Sequence, residues 1–400
     1  MDFTTGKRVA GIALAASLLV GACGSSGGAA SQPVRASAAT GSSAAAASSA
    51  TSASPATSAS TGAAAGGERV PPSAEIALQG AGATFPAPLY QKWFEDFSGK
   101  YSNVKVDYQA IGSGGGIKAF TEQTVDFGAS DAAMKDDEIA KLPAGAKPLH
   151  IPTALGAVVV TYNLPGVAEL KLDAANIAGI FLGTITTWND PAIAANNSGV
   201  TLPNTPITVV HRSDGSGTTN AFTTYLATVS PDWKTKVGAG KEVNWPTGIG
   251  AQGNDGVAGG VKQTEGAVGY VELNYATQAQ LTTAKVKNAD GAFVAASVDG
   301  VVAAANAAAA QMPADLRQPP IINGPGASTY PIASYTYLLV YQDQKDVTKG
   351  KALISLISWA LTDGQDEEST LGYAPLPQPV QEKAMTMLHS VTAGGEPIWP

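Results

Sequence analysis

From Pro72 onward, short apolar runs alternate with stretches in which apolar residues recur every three or four positions. Residues 76–79 read as a short buried strand, followed by the small-residue turn 80–86. In the helix after it Leu89, Tyr90, Trp93, Phe94 and Phe97 share one face, and Pro88 falls in the first turn, where a missing N–H costs little. A strand at 105–110 runs into Gly112 to Gly116 and a helix carrying Ile117, Phe120 and Val125. A third strand, 127–130, ends at Asp131 and precedes a helix at 137–142. Strand, turn and helix three times over is the signature of a parallel α/β sheet.

A β-forming run at 157–162 opens a second block. Helix signals follow at 173–182 and near Ala192, a strand at 207–210, a glycine-rich segment at 248–256 in which Asn254 or Asp255 can cap the next helix, and a strand at 267–272. The alanine-rich stretch 301–310 reads as helix. After the breaker at 323–326 come a β-like run at 334–341 and a helix at 352–361. Two α/β blocks therefore follow one another, with no repeat of fixed period.

The first 71 residues belong to neither block. Lys7 and Arg8 precede the apolar run Val9 to Val20, too short to span a bilayer but suited to a signal peptide covering residues 1–22. Leu19 to Cys23 resembles a bacterial lipobox, which makes Cys23 a candidate for lipidation. It is the only cysteine, so no intrachain disulfide can form although export is expected. From Gly24 to Gly67 the chain is nearly all Ala, Ser, Gly and Thr and cannot bury enough apolar surface to fold. As a flexible tether it would span about 35–40 Å on average. A net charge of -8 argues against nucleic acid or an anionic membrane surface as partner, so any anion site must gather its positive potential locally.

The nine residues His211 to Thr219 do this. A strand leads in and an apolar-periodic helix leads out, and the first N–H groups of a helix lack internal partners and carry partial positive charge. Arg212 adds a planar fork matched to a tetrahedral oxyanion, and Asp214 can brace it. The same turn can also be a plain connection capped by Ser216 or Thr218. Thr84 and Phe85, Ser113 and Asp131 lie at other expected strand ends, and open parallel sheets bind ligands beyond those ends. Of the five arginines only Arg212 and Arg317 lie well inside the folded body.

Other motifs carry less. The stretch 112–118 lacks P-loop spacing and the hydroxyl that would hold magnesium. Residues 248–253 match a G-x-G-x-x-G string, but Pro246 and Gly248 stand where a strand should lead in. Ser216 is not in a nucleophile elbow. His211 and Arg212 are adjacent on a strand and so point to opposite faces, and no His, Cys or carboxylate cluster suggests a metal or a resident cofactor. Asp136, Asp137 and Glu138 read as a solvated helix start.

Four segments together resemble the phosphate-binding proteins of bacterial phosphate-specific ABC transporters: 80–88 (GAGATFPAP), 125–131 (VDFGASD), 212–218 (RSDGSGT) and 245–256 (WPTGIGAQGNDG). The resemblance runs from about Leu78 to the C-terminus. It implies an α/β, two-lobed periplasmic-binding-protein fold of type II, with a ligand cleft between lobes joined by a strand hinge. Lobe I would comprise 72–157 and 326–400, lobe II 158–325, behind a lipidated Cys23 and tether at 23–71. It implies phosphate donors at Thr84, the Phe85 backbone, Ser113, Arg212, Ser216, Gly217 and Thr218, an acceptor at Asp131, and Asp214 in support. Ser113 is followed by Gly114 where the family often has a second serine, and Ser213 stands where Ala is common.

The resemblance further implies a monomeric, lipid-anchored, exported module that is not an enzyme and delivers phosphate to membrane permease subunits. Selectivity has a physical basis. Phosphate carries at least one proton at neutral pH and sulfate none, so a buried Asp131 carboxylate can accept from the first and meets a bare oxygen on the second. Binding of arsenate or a phosphonate, a secreted phosphoester hydrolase with Ser216 as nucleophile, and a surface lipoprotein of structural role remain alternatives.

Overall fold

The computed structural model describes residues 70–399; the signal peptide, the lipidation of Cys23 and the tether up to Arg69 lie outside the described residues. The body begins with β1 (Ile76–Gly82), α1 (Ala87–Lys100), β2 (Val104–Ala110), α2 (Ser113–Thr121), β3 (Phe127–Ser130), the short α3 (Asp136–Ile139) and β4 (Pro148–Tyr162). Then come β5 (Lys171–Leu172), α4 (Ala174–Phe181), α5 (Pro191–Asn196), β6 (Thr208–Arg212), α6 (Gly217–Val229), α7 (Pro231–Lys236), β7 (Ile249–Ala251), α8 (Gly253–Gln263), β8 (Ala267–Glu272) and α9 (Leu273–Gln278). The chain closes through β9 (Thr282–Thr283), β10 (Lys285–Lys287), β11 (Phe293–Val294), α10 (Val298–Ala308), β12 (Ile321–Ile322), β13 (Ile332–Tyr341), α11 (Val347–Ala360) and α12 (Gln378–Leu388).

The main sheet runs β2-β1-β3-β13-β4-β8-β6-β7. Its outer thirds are parallel as expected: β1 with β2 and β3, and β6 with β7 and β8. The centre departs from expectation, because β13 runs antiparallel to both β3 and β4, and β4 antiparallel to β8. The sheet is thus mixed. β4 is also far longer than the expected run at 157–162. Its 15 residues include His150, Pro152 and Thr153, which hide the strand from a hydropathy reading. Residues 148–157 pair with β13 and 158–162 with β8, so one strand serves both parallel sets.

Pro152 has no N–H for the ladder, and the β4–β13 register skips there: Tyr337 faces Pro152 and Thr336 faces Ala154, leaving Thr153 as a bulge. Bulges re-aim neighbouring side chains, and this one lies behind Asp131. The helices cover both sheet faces. Leu89, Tyr90, Trp93, Phe94 and Phe97 of α1 are all buried, as their spacing predicts. After Gly326 the chain returns to the first block: β13 bonds β3, and α11 packs on β1 and α1.

Candidate anion-binding site

β6 delivers Arg212 into the interior, where it is 3% exposed. Its Nε donates to Asp214 Oδ1 at 2.7 Å and its Nη2 to Oδ2 at 2.5 Å, the two-pronged pairing that fits a guanidinium to a carboxylate. Burial alone would push the Asp214 carboxyl up, but the Arg212 fork, with a further bond from Gly253 N–H, holds it below the usual carboxylate range. The Arg212 backbone N–H donates to Tyr270 Oη at 3.2 Å. One donor group stays free: among the described residues Arg212 Nη1 is buried and has no partner. A buried donor left unpaired is costly, and such groups mark places where a ligand completes the bonding. His211 turns the other way, as strand alternation requires, and stacks on Trp245 with centroids 4.7 Å apart.

Ser216 caps α6, its Oγ accepting Thr219 N–H at 3.1 Å. The next N–H, that of Gly217, donates to Ser113 Oγ of the first block at 3.0 Å. Ser113 opens α2 behind Gly112, whose φ of +85° suits glycine and where a side chain would strike Asp214.

Asp131, at the end of β3, is 3% exposed. Its Oδ1 accepts from Thr336 Oγ1 at 2.8 Å and its Oδ2 from Ser113 Oγ at 3.3 Å, while its carbonyl accepts from Ser334 Oγ at 3.2 Å. Ser334 and Thr336 lie two apart on β13 and so share a face. Burial pushes the Asp131 carboxyl up to about 7, against the lowering effects of Thr336, Arg212 and Ser113. Thr84 Oγ1 accepts from Asn254 Nδ2 at 2.9 Å. The Thr84 carbonyl accepts from Tyr275 Oη at 2.5 Å, and that of the fully buried Phe85 from Tyr373 Oη at 2.7 Å.

The two blocks meet directly. Gly114 N–H donates to the Gly215 carbonyl at 2.8 Å, and Lys241 Nζ reaches both oxygens of Glu138 at 2.6 and 2.7 Å. This corrects the expectation of a solvated acidic helix start. The side chain of Asp136 is 91% exposed, but that of Glu138 is only 19% exposed. Its Oε2 also accepts from Lys135 N–H, so one carboxylate closes the helix turn and clasps the opposite block. A second correction concerns α8. Neither Asn254 nor Asp255 caps it, because the Asn254 amide is drawn instead to Thr84 and Thr218. Tyr275, Ser334 and Thr336 carried no sequence signal beyond an isolated polar group in an apolar setting.

The arrangement sets a permanent cation with a free N–H edge, helix-start N–H groups and several hydroxyls around one acceptor carboxylate. It suits an anion that also carries a proton. The fold and site are those of a solute-binding protein, and the family model described as the PBP superfamily domain matches residues 29–363. The phosphate-binding protein PstS of Xylella fastidiosa is 41% identical over 318 residues, covering 78% of this chain and 86% of that one. PstS of Pasteurella multocida is 42% identical over 327 residues, covering 80% and 93%. The chain belongs to the PstS family of phosphate-binding proteins. A high-affinity periplasmic phosphate-binding protein solved with phosphate superposes with a TM-score of 0.64 at 23% identity, over 80% of this chain and 96% of that one, and shares the two-lobed fold.

Proposed function

We propose that the cleft binds inorganic phosphate outside the cytoplasmic membrane and delivers it to the permease subunits of a phosphate ABC transporter. The observation that carries this reading is the buried, unpartnered Nη1 of Arg212, in a site where the acceptor Asp131 feels the same guanidinium. Thr84, Phe85 N–H, Ser216 and Thr218 supply donors, Ser113 and Gly217 join them by exchanging their bonds to Asp131 and to each other for bonds to the ligand, and Asp214 fixes the fork. Ser216 Oγ accepts from Thr219 N–H, so its own hydrogen is free for the ligand. Asp131 accepts the ligand's proton and selects phosphate over sulfate. The bodies that open and close are residues 72–157 with 326–400, and residues 158–325, turning about the strands they share.

Among the described residues no helix is long and apolar enough to cross a membrane. Membrane attachment is assigned to lipid on Cys23 and the tether behind it, with the body a monomeric binder and no enzyme. Calorimetry of the folded body against phosphate, sulfate and nitrate tests the reading. Phosphate alone should bind, and Arg212→Lys should weaken it by about 2–5 kcal/mol, because an ammonium cannot both fork onto Asp214 and leave an N–H edge free. An unchanged affinity would remove Arg212 from the site.

A further inference from the structure

We infer that Asn254 is a positioning residue that turns two threonine hydroxyls into donors for the anion; this rests on the phosphate reading above. Asn254 is fully buried at the start of α8. Gly253 before it has a φ of +72°, a left-handed conformation that favours glycine, and a side chain there would strike the Asp255 carboxylate.

The polarity of the Asn254 amide follows from its partners. Its Oδ1 accepts the backbone N–H of Glu272 at 3.1 Å, which puts the NH2 on the other side. Nδ2 then donates to Thr84 Oγ1 at 2.9 Å and to Thr218 Oγ1 at 3.2 Å, committing both of its hydrogens. The backbone N–H of Asn254 adds a third donor, to Thr84 Oγ1 at 3.3 Å. A hydroxyl oxygen that accepts keeps its own hydrogen for another partner. Among the described residues neither hydroxyl hydrogen has a protein acceptor. Both are therefore held as donors, one from the turn after β1 and one from the start of α6. Without the Asn254 amide the Thr218 hydroxyl loses its donor and Thr84 keeps only the longer backbone one, so both are freer to rotate and present lone pairs to an anion that is itself rich in lone pairs.

A double-mutant cycle by calorimetry with inorganic phosphate tests this. Asn254→Leu should weaken binding about 30-fold or more in the wild-type background. With both Thr84→Val and Thr218→Val in place, the same change should cost less than about threefold, since the hydroxyls it acts through are gone. A side chain that merely supports the fold would cost the same in both backgrounds, and that result, or no loss in either, overturns the inference. Should Asn254→Leu melt below the assay temperature, Asn254→Asp replaces it. The carboxylate keeps the shape and the acceptor for Glu272 N–H but cannot donate, and the same dependence on background is expected. Failure of the wild-type protein to bind phosphate would overturn the functional reading itself, whereas wild-type binding with an additive cycle removes only Asn254.

Discussion

A Cβ atom placed on Gly217 would lie 2.5 Å from both the Cβ and the Oδ2 of Asp131. The two residues come from opposite blocks and meet only because position 217 has no side chain. Gly217 opens a right-handed helix, so its backbone tolerates alanine and the obstruction is purely one of contact. Gly217→Ala should leave the ligand-free melting temperature unchanged and weaken phosphate binding by about 1–3 kcal/mol, the usual cost of forcing an extra methyl into a packed site. Small-angle scattering with saturating phosphate should show a more open body than wild type; a wild-type profile and affinity would refute the contact.

The Glu138–Lys241 pair closes the seam beside the site, with side chains 19% and 10% exposed. Neither residue is assigned to the ligand, so the pair acts on opening and not on recognition. Glu138→Gln should speed phosphate release in stopped-flow by an amount equivalent to about 1–2 kcal/mol, between the values of exposed and buried pairs, and leave selectivity intact. The wild-type release rate should rise with salt and that of the variant far less. Identical salt dependence in both would show that the pair does not hold the seam.

Thr336 donates to the Asp131 oxygen away from Ser113, at 2.8 Å, and is one of the effects that keep this buried carboxyl from rising above about 7. Thr336→Val removes the donor at constant shape. Asp131 should then stay protonated to higher pH, and a protonated carboxyl offers a hydrogen in place of an acceptor. The expected outcome is phosphate binding weakened by about 1–3 kcal/mol at neutral pH and recovering as pH rises, with Thr336→Ser close to wild type. A valine variant with the wild-type pH profile would exclude the hydroxyl from this role.

His150 holds the turn after Asp131 from behind: its Nε2 accepts the Met134 N–H at 3.0 Å, which only the neutral ring can do. Burial drives its pKa down from 6.5 to about 4, helped by the positive charge of Arg317. The folded value lies below the unfolded one, so the neutral ring's contribution is complete above pH 6.5 and is lost as pH falls towards 4. His150→Gln keeps an acceptor without a titration. Wild type should lose stability relative to this variant by at most about 1.4 kcal/mol per pH unit across that window and run parallel to it above. Parallel curves throughout would mean the ring is not the titrating group.

The local elements and the loops were legible because each announces itself over a few residues. The helical spacing of Leu89 to Phe97 names α1, and the strands at 127–130 and 267–272 appear in the structure with those bounds. Arg212 with Asp214, and Ser113 and Asp131 at strand ends, were candidates from turn chemistry, which equally allowed plain connections, and the resemblance singled them out. The partners that orient them were not. Thr336 lies 205 residues from Asp131, and Asn254 lies 170 from Thr84. A hydroxyl in an apolar strand or an amide in a first helical turn looks like a purely local feature. The central strand escaped for a related reason: it is buried along almost its whole length, His150, Pro152 and Thr153 interrupt the apolar run that would mark it, and only β13, far downstream, explains why it persists.

Because β4 gives residues 148–157 to β13 and residues 158–162 to β8, the change from one paired set to the other falls inside a single continuous strand. A cut between Ala157 and Val158 would leave each stretch beside its own ladder partner, β13 or β8, so what it would remove is the covalent continuity that holds the two paired sets in register.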